Sequence, residues 1–387
     1  MDDGVRFGGA TSRDLEGGPA HLEALFSLGR ISRRDFLKLS GIVAAGLALP
    51  LGCNAPRQTE EERADEVVRL AMPPAPTGDI TVGIAREGDI AATVNKAIEL
   101  AGGLEEIQSG ESVVIKPNLT TAYTFKTRVT THPEVLRAVI RAVKARTDAE
   151  NITVAEASAF TDPSTLAVAK AVGVYEVVQS EGVNFLAWED EAYVDAFSSD
   201  FKHINFFIHI PVSLAESRFK HFINLPMLKN HEAVSNANAD YTCCIKNHVG
   251  VISREKRVRG GGKGIHRADL GEKIAELNLA VPRHTMNVVD ALTVILSGGP
   301  AALEMESADP GLILACKDRV ACDSVALAVL RHYASRQGIR RPYVDKSVWE
   351  QAQIRRAQQL NLGRGKENIR VSSDGVDEVD AILARWN

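Results

Sequence analysis

The stretch FKHFINLPMLKNHEAVSNANADYTCCIKNHVG, residues 219–250, combines a strand-like apolar run with two copies of one polar triplet. The apolar run ends at Pro226, which predicts a buried strand followed by a loop. On that loop we expect the first Lys-Asn-His triplet, residues 229–231, and the second, residues 246–248, lies just before Gly250. Two such triplets so close together indicate a functional site, but they do not identify its chemistry.

Short apolar runs and amphipathic segments alternate on both sides of this stretch. We expect strands at 80–85, 112–116, 152–155, 183–188, 203–210, 285–289, 311–315 and 369–372. We expect helices at 89–100, 132–146, 162–171, 320–333, 348–360 and 376–386, the second with Pro133 in its first turn. This alternation predicts an α/β fold with a parallel or mixed central sheet, flanked by helices, in one integrated domain.

The composition is that of an ordinary globular protein. The chain has 387 residues, of which 45% are hydrophobic and 5% aromatic, and its formal net charge is −5. A chain of this length can bury a large core, and its aliphatic composition suits an α/β protein better than a β-sandwich. The slight acidity gives no reason to expect nucleic-acid binding.

An export signal is expected near the N-terminus. Residues 30–38, RISRRDFLK, resemble the twin-arginine (Tat) motif through the adjacent Arg33 and Arg34. The weakly apolar run at 41–52 is shorter than the roughly 20 residues that span a bilayer, and the order of basic, apolar and small residues is that of a signal peptide. We therefore expect export by the twin-arginine machinery, which carries folded proteins, many of them with a metal or redox cofactor already bound.

Three regions follow from this organisation. Residues 1–53 form the signal region, which ends in LPLGC, a sequence similar to a bacterial lipobox with Cys53 as the residue that would be lipidated. Residues 54–78 are polar and then proline-rich, as linkers are, and residues 79–387 form the α/β domain. Two locations stay open: a soluble periplasmic protein, or one anchored through its N-terminus on the outer side of the cytoplasmic membrane.

The cysteines of the domain allow two interpretations. Cys243 and Cys244 are adjacent, and adjacent cysteines rarely form a disulfide with each other. Cys316 and Cys322 are close in sequence, and in an oxidising compartment a disulfide could form. The alternative is a set of buried, unpaired thiols.

Several short motifs distributed over the domain resemble one family. They are VIKPN (114–118), THPE (131–134), INLP (223–226), KNH (229–231), KNHVG (246–250), IAELN (274–278), GGP (298–300) with Asp290 before it, and ACDS (321–324). Together they resemble the domain of unknown function 362 family over about residues 113–328. The resemblance implies no particular activity. Some members carry ferredoxin-type iron–sulfur modules, but this chain has no Cys-x-x-Cys-x-x-Cys run, so that trait does not carry over.

Lysine and asparagine side chains near strand ends predict a pocket for a small anion. Lys116 and Asn118 lie at the end of a strand, where open α/β sheets place their ligands. Lys229 and Lys246 are point charges suited to a carboxylate or phosphate, and Asn247 could orient such a group by hydrogen bonding. We therefore predict that these five residues bind a small anionic ligand.

His231 and Glu276 are the candidates for proton transfer, since imidazole and carboxylate groups are common acid–base catalysts. In the helix expected after residue 264, Glu276 lies on a polar stripe beside the apolar face, together with His266. That stripe could point into a cleft or lie at the surface. His231, His248 and His266 are also candidates for metal ligands, although they lack the spacing of known zinc sites. Whether a metal or redox cofactor is bound stays open.

Two functions are compatible with these features. The first is an exported enzyme that acts on a small anionic substrate, with or without a metal or redox cofactor. The second is a non-catalytic periplasmic protein that uses the same pocket to bind a ligand or to assist cofactor assembly.

Overall fold

The computed structural model describes residues 67–120, 129–158, 164–231, 240–258, 264–266, 268–299 and 304–387. The predictions for Arg33, Arg34 and Cys53, and for most of the linker, concern residues outside these ranges, as does the expected helix start at 162. Within the described ranges, no helix is both long enough and apolar enough to cross a membrane.

The described residues form strands and α-helices that are numbered here in chain order. The strands are β1 Val68–Arg69, β2 Ile80–Ala85, β3 Val113–Pro117, β4 Ile152–Glu156, β5 Asn184–Ala187, β6 Tyr193–Phe197, β7 Ile208–Pro211, β8 His221–Leu225, β9 Met227–Asn230, β10 Tyr241–Thr242, β11 Met286–Ser297, β12 Glu306–Ala308, β13 Leu312–Cys316 and β14 Ile369–Asp374. The helices are α1 Ile90–Leu100, α2 Pro133–Lys144, α3 Thr165–Ala171, α4 Val174–Glu181, α5 Val212–Ala215, α6 Cys244–Asn247, α7 Arg254–Val258, α8 Leu270–Leu277, α9 Arg319–Arg336, α10 Pro342–Asp345, α11 Ala352–Gln359 and α12 Val379–Leu383.

The main sheet is mixed. Its central path runs in the order β14-β2-β13-β11-β8-β3-β4-β5. Neighbours from β11 to β5 are parallel, as are β14 and β2, whereas β13 is antiparallel to both of its neighbours. β9, β10 and β12 extend the sheet beside β11, and β1, β6 and β7 form a small separate sheet. The predicted α/β fold, with a mixed sheet and flanking helices in one domain, is confirmed.

Helices cover both faces of the main sheet, as expected for parallel strands that are buried on both sides. β3 and β8 are buried along their whole length. Because side chains alternate along a strand, Ile115 faces an apolar cluster with α1 to α4, while Val114 faces the cluster with α8, α9 and α11. The core is therefore two apolar layers with the sheet between them.

Three polar side chains form a row across adjacent parallel strands. Lys116 on β3 is in register with Asn224 on β8, and Asn224 is in register with Asn287 on β11. Alternation places Lys116 on the same face as Val114, the face covered by α8 and α9. This polar row inside an otherwise apolar layer locates the site.

Lys229 and Asn230 of the first triplet lie on a strand, so the prediction of a loop was wrong for these two residues, and His231 follows the strand. Pro226 ends β8, but the chain stays extended and continues as β9, Met227–Asn230. β9 pairs with β10 and β11, and this pairing satisfies backbone groups that a loop would expose to water.

Three other element predictions were too long, one of them the helix expected at 376–386, which is limited to α12, Val379–Leu383. The strand expected at 203–210 is limited to β7, because the N–H groups of His203 and Ile204 donate to the carboxylate of Glu276 and not to a neighbouring strand. The helix expected at 348–360 is divided into a 3₁₀ turn, Val348–Glu350, and α11.

Candidate functional site

A short helix, α6, places Lys246 and Asn247 over the polar row. The buried carboxylate of Asp323 holds the start of this helix by accepting a hydrogen bond from the Ile245 N–H at 3.3 Å. The same carboxylate accepts hydrogen bonds from the Tyr241 hydroxyl at 3.3 Å and from Gln353 Nε2 at 3.1 Å. Burial raises the pKa of Asp323 to about 6. Asp323 therefore joins the start of α6 to β10 and α11.

Four buried asparagines form a directional series of hydrogen bonds, which we call the asparagine chain. Asn118 Nδ2 donates to Asn247 Oδ1 at 2.9 Å, and Asn247 Nδ2 donates to Asn224 Oδ1 at 2.8 Å. Asn224 Nδ2 donates to Asn287 Oδ1 at 3.0 Å, and Asn287 Nδ2 donates to the carbonyl oxygen of Cys316 at 2.9 Å. The chain thus links the end of β3 to α6, β8, β11 and β13.

The asparagine chain begins at Lys229. The ammonium group donates to Asn118 Oδ1 at 2.6 Å, to Thr120 Oγ1 at 2.7 Å and to the carbonyl oxygen of Val129. An ammonium group has three N–H donors and no acceptor, so all of its donors are used. Burial lowers the pKa of Lys229 to about 7, and the charge of Lys246 acts in the same direction.

A buried ion pair lies beside this network. Lys116 Nζ and Glu156 Oε2 are 2.7 Å apart, and their side chains are only 0% and 3% exposed. Burial lowers the pKa of Lys116 and raises that of Glu156, since it disfavours both charges. Gly250 packs directly against the pair, and a Cβ at this position would lie 2.7 Å from Lys116 Nζ. A side chain at position 250 would therefore force the ends of Lys116 and Glu156 to move.

These groups surround a cavity of about 60 Å³. The described residues that line it are Asn118, Leu119, Thr120, Glu156, Ala157, His231, Thr242, Lys246, Asn247, Val249, Gly250, Arg257 and His266. Because one water-sized group needs about 10–15 Å³, the cavity corresponds to about four to six waters. Its size suits a molecule with only a few non-hydrogen atoms.

Lys246 provides the uncommitted cation of this cavity. Its side chain is buried, and its Nζ has no hydrogen-bond partner among the described residues. Burial lowers the pKa of Lys246 to about 7, against the opposing effect of Asp240. Arg257 also lines the cavity, but its guanidinium donates to the backbone carbonyl oxygens of residues 157, 158, 250 and 252.

Two imidazoles complete the described wall. His266 Nδ1 lies 2.8 Å from the carbonyl oxygen of Arg257; this oxygen can only accept, so Nδ1 carries the proton and Nε2 carries the lone pair. His231 Nδ1 lies 3.4 Å from Thr242 Oγ1. Burial, followed by the charge of Lys246, lowers the pKa of His266 to about 4 and that of His231 well below its usual range. Both rings are therefore neutral at pH 7.

The structure brings most of the residues proposed from the sequence together. Asn118, His231, Lys246, Asn247 and His266 line the cavity, Lys116 is paired with the lining residue Glu156, and Lys229 is hydrogen-bonded to Asn118. Glu156 itself was missed. Its signal was the position at the end of β4, because neighbouring parallel strands β3 and β4 end at the same edge.

Glu276 is not among the described residues that line the cavity. Its fully buried carboxylate accepts hydrogen bonds from the N–H groups of Lys202 at 2.8 Å, His203 at 3.0 Å and Ile204 at 2.9 Å. It also pairs with Arg356 Nη2 at 2.8 Å. Glu276 therefore fastens the segment before β7 to α8 and α11.

The three histidines proposed as metal ligands do not converge. His248 Nδ1 is hydrogen-bonded to Asn278 Oδ1 at 2.7 Å, and its ring packs against that of His284, whose centroid is 4.7 Å away. His248 is absent from the described cavity lining, where His231 and His266 lie.

The cysteines of the described ranges are buried and unpaired. Cys243, Cys244 and Asp323 place ligand-type atoms within 4.8 Å of one another, the one such group of three in the described part of the chain. The Asp323 carboxylate already accepts three hydrogen bonds, and burial raises the pKa of both thiols. We therefore assign this cluster to the anchoring of α6.

These features define an exported α/β protein with a small cavity lined by Lys246, two asparagines and two histidines. A twin-arginine translocation pathway signal sequence matches residues 30–50, which confirms the resemblance found at Arg33 and Arg34. The chain belongs to the family described as Domain of unknown function (DUF362), whose match covers residues 113–328, more than half of the chain. The match includes every described residue that lines the cavity. No curated protein matches the chain.

Proposed function

We propose that the protein is an exported enzyme that binds a small anionic substrate in this cavity. The observation that carries the proposal is the Nζ of Lys246, which is buried at the cavity without a hydrogen-bond partner among the described residues. Leaving a buried cation unpaired is costly. A carboxylate or phosphate in the cavity would remove that cost through a charge-assisted hydrogen bond.

The charges around the cavity support an anion over a cation. Lys229, Lys246 and Arg257 contribute positive charge. Glu156 is the acidic residue of the described lining, and Lys116 already pairs with it. The resulting excess of positive charge in a low-dielectric site favours negatively charged ligands.

The two neutral imidazoles support catalysis in addition to binding. His231 and His266 line the same cavity as Lys246. A neutral imidazole can accept a proton from a reacting group and return it in a later step. Glu276 has no part in this proposal.

Calorimetric titration with lactate, phosphate and sulfate tests the binding step. We expect at least one of these anions to bind, and Lys246→Met to weaken that binding more than about tenfold, the equivalent of about 1.4 kcal/mol. Lys96→Met provides the control, since Lys96 lies at the surface of α1 and pairs with Glu99. Equal binding by wild type and Lys246→Met, or no binding of any of the three anions, would contradict the proposal.

We also propose that the domain acts on the outer side of the cytoplasmic membrane, a location supported by the export signal at residues 30–50. Labelling with radioactive palmitate distinguishes a lipid-anchored protein from a soluble periplasmic one. Label in the wild type that is lost in Cys53→Ala supports a lipid anchor at that cysteine. A wild type without label supports a soluble periplasmic protein.

A further inference from the structure

Of the three lysines near the cavity, Lys246 alone keeps its nitrogen available within the described residues. Lys116 is paired with Glu156, and the three N–H donors of Lys229 are all used. The Nζ of Lys246 has no hydrogen-bond partner in the described ranges. An amine that serves only to anchor α6 would not need to end at a cavity.

We propose that Lys246 is a nucleophile that forms an imine with the carbonyl group of a small oxo acid bound in this cavity. The proposal rests on the anion-binding function proposed above and names the class of substrate. An oxo acid combines the negative charge that the positive surroundings favour with a carbon that an amine attacks. The cavity of about 60 Å³ suits a substrate of about two or three carbons, given the volume of about 10–15 Å³ per water-sized group.

The surroundings of Lys246 are those that activate a lysine. A lysine becomes nucleophilic when burial or a neighbouring cation favours the neutral amine. Lys246 is 4% exposed, so burial favours its neutral amine. Because its pKa is lowered to about 7, close to half of the molecules carry a neutral amine at pH 7.

The reaction is balanced without an oxidant or a further reactant. The lone pair of Nζ attacks the carbonyl carbon, a C–N bond forms, and the carbonyl oxygen takes up a proton. Nζ then loses its protons, the C–O bond breaks, and the oxygen leaves as water. Amine and carbonyl thus give an imine and one water, and the imine nitrogen can hold a proton and keep the positive charge of the site.

His266 and His231 are placed to move these protons. The Nδ1 of His266 donates to the carbonyl oxygen of Arg257, so its Nε2 is the proton acceptor. His231 lines the same cavity, with Nδ1 beside the hydroxyl of Thr242. An imidazole can take the proton released by Nζ and deliver it to the departing oxygen.

Reductive trapping tests the proposal on the full-length protein. The protein is incubated with pyruvate or glyoxylate and sodium cyanoborohydride, which reduces an imine to a stable amine, and the modified peptide is identified by mass spectrometry. We expect one carboxyethyl or carboxymethyl group per chain, located on Lys246 and lost in Lys246→Arg. Lys96→Arg, a surface control, should be modified like the wild type.

The pH dependence provides a second measurement that uses wild-type protein alone. Trapping at Lys246 should become faster until about one pH unit above its pKa of about 7 and then level off, because the neutral amine is by then the main form. The charged and titratable groups around this amine and its neighbours are Lys116, Glu156, Lys229, His231, Asp240, Arg257 and His266. Surface lysines should instead react faster up to about pH 10, their ordinary pKa.

The outcomes separate this proposal from the binding function on which it rests. If lactate binds but pyruvate is not trapped on Lys246, the imine is contradicted while anion binding stands. If modification is spread over surface lysines with equal yield, the imine is contradicted as well. If none of lactate, phosphate and sulfate binds, the proposed anion-binding function itself is contradicted.

Discussion

Asn118 Nδ2 donates to Asn247 Oδ1 at 2.9 Å and so joins the end of β3 to helix α6. A helix of four residues cannot be stable alone, because nucleation costs more than one turn returns. The position of α6 therefore depends on its side-chain anchors, Asn247 at one end and Asp323 at the other. Because Lys246 lies between them, its place at the cavity is set by the hydrogen bonds of its chain neighbours Ile245 and Asn247.

Asn118→Leu should destabilise the protein substantially. The substitution removes the acceptor of Lys229 and the donor of Asn247, and each buried polar group left unpaired costs about 1–3 kcal/mol. We expect the free energy of unfolding in urea to fall by about 2–4 kcal/mol. Asn95→Leu on the exposed face of α1 is the control, with a change within about 0.5 kcal/mol. Equal effects of the two substitutions would show that the asparagine chain adds little stability.

Gly250→Ala should disrupt the Lys116–Glu156 ion pair. The added Cβ would lie 2.7 Å from Lys116 Nζ, so the pair must move or separate. Breaking a buried ion pair costs about 3–5 kcal/mol, and we expect a loss of that order in urea unfolding together with weaker anion binding. At Gly88 a Cβ meets no atom within 4 Å, so Gly88→Ala should leave both quantities unchanged. A stable Gly250→Ala protein with wild-type affinity would contradict this account.

Glu276→Gln should affect stability and not ligand binding. The substitution leaves the buried guanidinium of Arg356 without its carboxylate partner, at a cost of about 3–5 kcal/mol. The folded fraction should bind anions with wild-type affinity, because Glu276 does not line the cavity. Glu99→Gln on the surface of α1 is the matched control, since its side chain is 69% exposed. A Glu276→Gln variant that is stable but binds anions more weakly would place Glu276 in the site after all.

The stability gained on replacing Lys246 should depend on pH. Below about pH 7 the folded and unfolded chains both carry the ammonium, and the folded protein bears the whole cost of burying it. Between about pH 7 and pH 10.5, the ordinary pKa of a lysine, residue 246 is protonated more often in the unfolded chain than in the folded one. The stability of the wild type therefore rises with pH in this range. The cost is absent above that range.

This dependence is measured as the difference in free energy of unfolding between wild type and Lys246→Met at pH 7, 8 and 9. One pKa unit corresponds to about 1.4 kcal/mol. From pH 7 to pH 9, the free energy of unfolding of the wild type should therefore rise by more than about 1 kcal/mol relative to that of Lys246→Met. The charged and titratable groups near the amine, Lys229, His231, His266 and Asp240, remain in both proteins. A constant difference would show that the pKa of Lys246 is not lowered by burial.

The lysines and asparagines of the site could be predicted because a strand end is a local feature of the sequence. Lys116 and Asn118 follow a buried apolar run, and ligand sites in α/β proteins collect at such ends. Glu156 also ends a strand, but the apolar run at 152–155 predicts only a strand and does not indicate a site residue at its end. The parallel pairing of β3 with β4 is what makes Glu156 the neighbour of Lys116, and pairing cannot be inferred from either strand alone.

Glu276 shows what periodicity cannot decide. The helical spacing correctly separates an apolar face from a polar stripe in α8. It does not reveal which elements cover that stripe. In the structure, Arg356 from α11 and the N–H groups of residues 202–204 meet Glu276, and these partners are about 70 to 80 positions away in the chain. His248 was misplaced for the same reason, since Asn278 and His284 determine its surroundings.

The four amides of the asparagine chain all point in the same direction, so their dipoles add. Turning over a single amide would set N–H against N–H on one side and oxygen against oxygen on the other, at the loss of two hydrogen bonds. All four amides would have to turn together, and the carbonyl oxygen of Cys316 forbids this because it can only accept the hydrogen bond from Asn287 Nδ2. The negative ends of the amide dipoles therefore always point towards Lys229, and they offset its charge much as the last carbonyls of a helix offset a cation. The attraction for an anion is thereby concentrated on Lys246.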